Sequence, residues 1–515
     1  MRKRYIVPVV LVAAALSLVV SLGVSSAQPT RGAEAGTLNV GSAQGIPQLN
    51  PVIRTFAWEE FLFPLLWNGL TKWTPSGGTA PDIATSWTGA KDSKTWTFKL
   101  RSGVTFSNGD ALTAADVVKT FNYYLDPKTV TQEKNRINMV TSTTAVNPTT
   151  VLFRLKTANA LFPTAIINVK IVKTDDLANF SKNPITTGPY KVAAFVPDST
   201  VSLVANPSYF GAKAKLAKIE IVKAADATAA TASLVSGDLD VLWAVPATAA
   251  RKLKTDTGGP VKLVVPLAAS QSPFWEADTT SPPFDNVLNR QALAYAVDRA
   301  TILKVAYGGL GIVSPTNTLL SVANPSYGAP AGGKLVDYSY NLAKAKALFA
   351  QGGVKAGSTL TWWSTPVLPE FQTSGLILQA SLAKIGIKLV IKNNEIATWV
   401  AKFYPGGKKF PGLIVPNANS GPVEPAYNFN FYLPGRCECN WSPANFNKLY
   451  SLALQTADPN KRKQVWHQVQ GVENREVPII VPFQSQIASA VRKTVTGAWV
   501  EGGGQLHVES AANSG

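Results

Sequence analysis

Residues 81–117 read PDIATSWTGAKDSKTWTFKLRSGVTFSNGDALTAADV. Within this stretch Trp96 and Phe98 alternate, which sets both on one face of a strand. Asn108-Gly109 follows, a pair suited to a tight hairpin turn. Thr113 and Asp116, three positions apart, form a capping-box-like helix start. Val117, Phe121 and Tyr124 then recur at helical spacing, and Asp126-Pro127 ends the helix. Strand, hairpin and helix follow one another within about 45 residues, so the local order is mixed α and β.

The same alternation continues along the chain. Val151–Leu155 and Val201–Val204 read as strands, and Ile219-Glu220-Ile221 alternates similarly. Leu293, Ala296 and Val297 share a helix face. Asp298 caps a following helix that stops at Gly308-Gly309. Leu342, Ala345, Leu348 and Phe349 make another amphipathic helix, closed by Gly352-Gly353. Leu376–Ile385, Gly386 and Ile387–Ile391 read as helix, C-cap and strand. Asp458-Pro459 is an N-cap followed by Pro at the first helical position, with Val465, Val469 and Val472 lining that helix. Pro478–Phe483 returns as a strand. Glu509–Gly515 is expected to fray.

Composition bounds the function. The chain has 515 residues, 46% hydrophobic and only 16% charged, against about 25% charged in average soluble proteins. With 13 Trp, 21 Phe and 14 Tyr it has material for large cores, which excludes wholesale disorder. A single core stops growing at roughly 250–300 residues, so two lobes are expected. Two Cys exclude a disulfide scaffold and a multi-Cys zinc array, and His467 and His507 leave little room for His-based catalysis.

The first 27 residues read as an export signal. Arg2, Lys3 and Arg4 precede an apolar run from Ile6 to Val20, and Ser25-Ser26-Ala27 offers small residues for cleavage after Ala27. The alternative is an uncleaved anchor, but the run falls short of the ~20 residues of a span. No Cys stands near the cleavage site, which excludes a lipoprotein anchor there. Residues 28–36 read as a linker. The expected product is exported, to the periplasm or the cell envelope. Loss of the three signal cations takes the net charge from +18 to +15. The remaining cations are scattered, with small groups at Lys213, Lys215, Lys218 and at Lys402, Lys408, Lys409. A nucleic-acid footprint would be a dense stripe with stacking aromatics, so no nucleic-acid partner is expected.

The opening stretch resembles the signature of the peptide/nickel family of extracellular solute-binding proteins, the receptors of ABC importers. The usual pattern there is P-x-L-A-x-S-W, a T-F-x-L-R strand, F-S-D-G, and L-T-A-x-D-V. Further matches keep the family's order. They are Leu49-Asn50-Pro51, Trp67-Asn68-Gly69-Leu70, Thr187-Gly188-Pro189-Tyr190, and Leu234 to Val241. Pro283-Phe284-Asp285-Asn286 with Arg290 to Arg299, Ile385-Gly386-Ile387, and Asp458 to Arg462 complete the set. The matches run from about residue 37 to residue 500. Taken singly, these core and turn positions read as structural, so the signature identifies the fold better than the ligand.

The resemblance implies a two-lobed α/β periplasmic-binding-protein-like fold with an enlarged first lobe. Lobe I would comprise 37–268 plus 487–510 and lobe II 269–486, with 511–515 as a tail. The chain would cross near Leu267–Ser272 and near Gln484–Gln486. Ligand would lie between the lobes, and contacts to both would favour the closed form. A membrane permease of the ABC importer would sense closure. The protein would be a monomer without cofactor, and no chemistry on the ligand is implied.

The expected ligand is a peptide, with an oligosaccharide as the alternative. Peptide-binding members hold the peptide amine with an Asp in a W-x-A-D-Y-x-x-P-like loop. The corresponding Val415–Pro425 has no Asp. Asn417 or Asn419 stands near that position, and Glu424-Pro425 matches the trailing acidic-Pro pair. An amide lacks the charge-assisted bond of a carboxylate. Aromatic candidates for the cleft are Trp58, Trp67, Trp362, Trp363, Trp399 and Tyr427, able to stack on sugars or line a peptide channel. Gln44 and Ile46 map to the first-lobe rim. Cys437-Glu438-Cys439 is expected as a local disulfide in a small, strained ring rather than half of a metal site. Two other readings compete. A secreted hydrolase needs a nucleophile–base or carboxylate pair, and no G-x-S-x-G or H-E-x-x-H occurs. A basic envelope adhesin would bind anionic polymers in a salt-sensitive way.

Overall fold

The computed structural model describes residues 36–515 apart from 43, 54–56, 132, 267–270, 366–367, 396–397, 399–408, 421–423, 487 and 503. The strand Thr95–Leu100 carries the alternation read from sequence: Trp96, Phe98 and Leu100 are buried, while Lys99 between them is exposed. It pairs antiparallel with Ala84–Gly89 on one side and Thr150–Leu155 on the other, and Val140–Asn147 completes a four-stranded sheet. The helix Ala114–Leu125 starts at Thr113, whose backbone N–H donates to Asp116 Oδ2 at 2.8 Å. Its buried face, Val117, Phe121 and Tyr124, covers that sheet, with the Phe121 ring 4.7 Å from Phe153. Gly109 turns the preceding hairpin at φ +92°, a left-handed conformation that favours glycine.

Two larger sheets organise the rest. The first runs Val261–Val264, Ser489–Arg492, Val241–Leu242, Thr37–Ser42, Lys218–Lys223, Thr200–Ala205, Tyr190–Val196. Its centre is parallel, Thr37–Ser42 lying beside both Lys218–Lys223 and Val241–Leu242. Leu38, Val40, Leu203, Ile219 and Val491 form its core with Tyr190. The second runs Gly311–Ile312, Gln484–Ser485, Gln271–Ala277, Leu413–Ser420, Thr359–Ser364, Lys388–Asn393, with Ile479–Ile480 also on Gln271–Ala277. The helices Val287–Ala296, Leu342–Gln351 and Pro369–Ala383 pack into the core around Trp275, Trp362 and Leu378. The first and four-stranded sheets make one lobe and the second sheet the other.

The chain passes between the two large sheets twice, after Val264 and after Ser485. Gln486 Nε2 donates to Pro266 O at 3.3 Å and so ties one passage to the other. Among the described residues no helix is long and apolar enough to cross a membrane.

The helix caps follow the sequence reading. Asp298 accepts from Thr301 N at 3.1 Å, and Asp458 from Lys461 N at 2.8 Å. The end of the chain does not follow it. Ala512–Asn513 pairs antiparallel with Val495–Thr496, and Val508 and Ala511 are fully buried in the first-lobe core. The expected fraying of Glu509–Gly515 is therefore replaced by a docked strand. Small residues hide the signal, because an Ala that fills a core gap reads in sequence like any tail residue.

Candidate functional site

The lobes meet around a cavity of about 220 Å³. The first lobe supplies Arg136, Asn159 and Leu161, and the second supplies Tyr427, Asn430 and Arg436. Arg136 sits on the single-turn helix Lys134–Ile137, directly after Glu133, which it meets at 3.3 Å. Tyr427 sits on Pro425–Phe429, a helix opened by proline at its first position. Tyr427 Oη donates across the gap to Thr164 O at 2.6 Å, and Ala160 N donates to Leu454 O at 2.7 Å. The Arg136 guanidinium lies 4.9 Å above the Tyr427 ring, whose edge meets Trp73 at 6.1 Å. Leu161 packs into the aromatic cluster of the second lobe with Phe429 and Trp466.

Electrostatics differ between the two arginines. Burial opposes the Arg136 charge, yet Glu133 and then Tyr427 hold its guanidinium above its ordinary value. Burial pulls Arg436 below its ordinary value; Tyr450 resists this, and Arg136 repels it further. Burial also pushes the Tyr427 phenol far up, so it remains a neutral donor.

Behind Trp73, the first lobe holds a second cavity of about 80 Å³ whose walls are charged: Lys72, Asp82, Lys170, Glu501, His507 and Glu509. Asp82 is buried and raised by that burial, but accepts from Asn68 Nδ2 at 2.8 Å and Gly69 N at 3.1 Å. Burial lowers Lys170, against the pull of Asp82 and Glu501. His507 lies 3.3 Å from Glu501 and 3.2 Å from Glu509, its ring stacked 3.8 Å from Trp499. Burial opposes its protonation, but the two carboxylates win and raise its pKa to about 9. Acids and bases alternate here, so the charge is compensated locally and the cavity stays polar.

The residues singled out in sequence scatter. Tyr427 reaches the interlobe cavity, and Trp67 lines the first-lobe cavity although only 1% exposed. Trp362 is fully buried edge-on to Trp275 at 4.9 Å, and Trp363 packs with Phe410, Leu413 and Val415. Ile46 is in the first-lobe core, where its carbonyl accepts from Asp198 N at 2.8 Å; Gln44 is exposed. Asn417 is turned inward and donates to Glu276 Oε1 at 2.9 Å. Burial raises the Glu424 carboxyl, with Arg462 pulling back. Trp399 and the side chains of Trp58 and Asn419 lie outside the described residues. Cys437 and Cys439 are bridged. Cys439 N donates to Glu276 Oε2 at 3.0 Å, and burial followed by the neighbouring Glu438 raises Glu276 well above the carboxylate range.

Sequence reading missed Arg136, Arg436, Asp82, Lys170 and the His507 cluster. Each looks like a scattered surface charge, and only the tertiary fold brings them together. The buried Asp82 did lie inside the recognised Pro81–Trp87 motif, which was the one available signal.

The geometry matches known proteins over nearly the whole chain. The glutathione-binding protein GsiB of Escherichia coli K12 is 25% identical over 444 residues, 81% of this chain and 83% of that one. The structure of HbpA2 from Haemophilus parasuis superposes with a TM-score of 0.80 at 25% identity, covering 93% of this chain and 100% of that chain. The oligopeptide-binding protein AppA of Bacillus subtilis, in complex with a nonapeptide, has the same fold at TM-score 0.78 and 21% identity, covering 94% and 99%. The family description "bacterial extracellular solute-binding proteins, family 5 Middle" matches residues 78–445, more than half of the sequence. The chain belongs to family 5 of the bacterial extracellular solute-binding proteins.

Proposed function

We propose that this protein captures a peptide between its two lobes, outside the cytoplasmic membrane, and delivers it to the permease of an ABC importer. The observation that carries this reading is the cavity of about 220 Å³ walled by both lobes. A ligand there touches Arg136 and Leu161 on one side and Asn430 and Arg436 on the other. Such a ligand has more contacts in the closed form than in the open one, and that difference drives closure. The names of the relatives support the ligand class: GsiB binds glutathione and AppA was solved with a nonapeptide. The mixture of charged groups, amides and leucines suits a peptide better than a sugar. Trp67 and Trp362, two of the rings expected to stack on sugars, are almost wholly buried.

The protein acts as a monomer and leaves its ligand chemically unchanged. Its lobes divide as 37–268 plus 487–510 and 269–486, hinged at the two passages between the sheets. The test is native mass spectrometry of the freshly purified exported chain, before and after mild denaturation. A releasable mass that fragments as a peptide is expected. A releasable hexose series would replace the peptide by an oligosaccharide. Product formed from an added peptide would overturn the receptor reading.

A further inference from the structure

The second lobe gathers both cysteines of the chain and two buried carboxyl groups at one place that ligand capture does not use. Cys437 and Cys439 are bridged across a single residue, Glu438. A bridge that closes so short a loop removes little freedom from the unfolded chain, so it stabilises less than one joining distant segments. Its surroundings suit a reacting group better than a staple. Glu276, on the strand Gln271–Ala277, is fully buried. Its Oε2 lies 3.6 Å from Cys437 Sγ and accepts from Cys439 N at 3.0 Å. Burial, and then the neighbouring Glu438, favour the protonated form of Glu276. Glu438 is itself raised by burial. Two other groups face Glu276. Asn417 donates to its Oε1 at 2.9 Å, and the Tyr432 phenol, pushed up by burial, is close enough to feel its charge. Asp278, two positions along the strand, is turned instead to Asn440 Nδ2 at 2.9 Å.

The bridge is buried, but its loop is lightly held. Residues 433–440 belong to no helix or strand, and Pro434-Gly435 is an exposed turn with Gly435 at φ +76°. A loop of turns opens locally at lower cost than the sheet behind it. Arg436, next to Cys437, lines the interlobe cavity, so a small reductant has an approach on that side.

We propose that the Cys437–Cys439 bridge is a thiol–disulfide exchange site for a dithiol, with Glu276 as the group that hands over and takes back the proton. One thiolate of the dithiol attacks Cys439 Sγ. The S–S bond breaks, and Cys437 leaves with the electron pair and takes the Glu276 proton. The second sulfur of the dithiol then closes on the first and releases Cys439 as a thiolate. The dithiol departs as a disulfide and the cysteine pair is left reduced. Of the two protons the dithiol gives up, one restores Glu276 and the other protonates Cys439. Oxidation of the pair runs through the same steps in reverse.

The probe is dithiothreitol, added to the full exported chain, with alkylation and mass spectrometry counting the thiols released and circular dichroism following the fold. Two alkylated thiols are expected in a chain that keeps its native spectrum, and oxidised dithiothreitol should close the bridge again. Divided by the thiolate fraction of the reagent, the native rate should fall as pH rises and Glu276 loses its proton. Glu276→Gln should slow reduction by about tenfold or more at pH 6 and give a flat normalised profile. A merely structural Glu276 would change the melting temperature and leave the shape of the profile alone. A bridge that resists the dithiol until the chain melts overturns the proposal. A flat normalised profile for the native chain, or a folded Glu276→Gln chain with the native rate, overturns the role of Glu276. The native profile needs no variant, so it decides the matter even where Glu276→Gln fails to fold. None of these results depends on which ligand the lobes capture.

Discussion

His507 is a cation made by its surroundings. Glu501 and Glu509 flank the ring at 3.3 and 3.2 Å, and its pKa rises to about 9 although burial works the other way. Because the folded value lies above that of a free imidazole, the stabilisation is full below about pH 6.5 and is lost as pH rises through about 9. The shift corresponds to about 3 kcal/mol. Glu509 is lowered, so its share is present above the ordinary carboxylate value and lost as pH falls through the folded one. Urea unfolding at pH 6 and pH 9.5 should show the fall for the native chain and a much smaller one for His507→Asn. Equal falls in both would remove His507 as the source. Arg299 is the reverse case, a buried cation whose charge is opposed by burial, which pulls its pKa down to about 10. It donates to Ala294 O at 2.9 Å, Tyr338 O at 2.8 Å and Asn317 Oδ1 at 3.2 Å. Arg299→Met leaves these acceptors buried without a donor and should cost about 3 kcal/mol in urea unfolding. At this scale the sequence was hardest to read. Arg299 stood inside a recognised motif, but nothing in its neighbours announced that its partners lie up to 182 positions away, at Val481.

Elements were far more legible, because their determinants are local. Thr113 with Asp116, Asp298 and Asp458 all cap as their spacing implies. The helix Ala227–Ser236 shows the same logic: Asp226 accepts from Thr228 N at 2.7 Å and Ala229 N at 2.8 Å, and Gly237 closes it at φ +102°. Asp226→Ala should lower stability by about 1 kcal/mol, read as a shift in the urea midpoint at unchanged slope. An unchanged midpoint would mean that neighbouring packing alone holds this helix. Where sequence reading placed an element wrongly, the cause was local in one case and a partner strand in another. The helix read as Leu376–Ile385 begins at Pro369, because Phe371 is buried and Ser374 bonds back to Glu370 O at 2.8 Å. The last strand exists because Val495–Thr496 offers it an edge. The candidate site suffered most from this, since its walls come from single turns such as Lys134–Ile137 and Pro425–Phe429, too short to leave a periodic trace.

At the scale of the whole molecule, what matters is how firmly the lobes hold one another without ligand. The ordered motifs along the chain made the two-lobed fold legible, but motifs describe each lobe and not the contact between them. Among the described residues, two hydrogen bonds bridge the lobes beside the cavity: Tyr427 Oη to Thr164 O at 2.6 Å and Ala160 N to Leu454 O at 2.7 Å. The second is backbone to backbone and beyond the reach of side-chain substitution. The first can be removed cleanly. Tyr427→Phe keeps the ring that Arg136 and Trp73 contact and deletes only the hydroxyl. The Thr164 carbonyl regains water when the lobes part, so the lost bond tilts the balance toward the open form by about 1 kcal/mol. That is about a fivefold change in the ratio of closed to open molecules. Small-angle scattering of the unliganded variant should therefore give a larger radius of gyration than the native chain. Ligand affinity should weaken by at most the same fivefold factor, because the ligand must now supply that part of the closing energy. The two readouts are linked: an expanded variant with unchanged affinity would mean that the ligand engages one lobe only. An unexpanded variant would mean that the remaining bridges, the Ala160 N to Leu454 O bond and Leu161 seated in the second lobe's aromatic cluster, hold the lobes together without it.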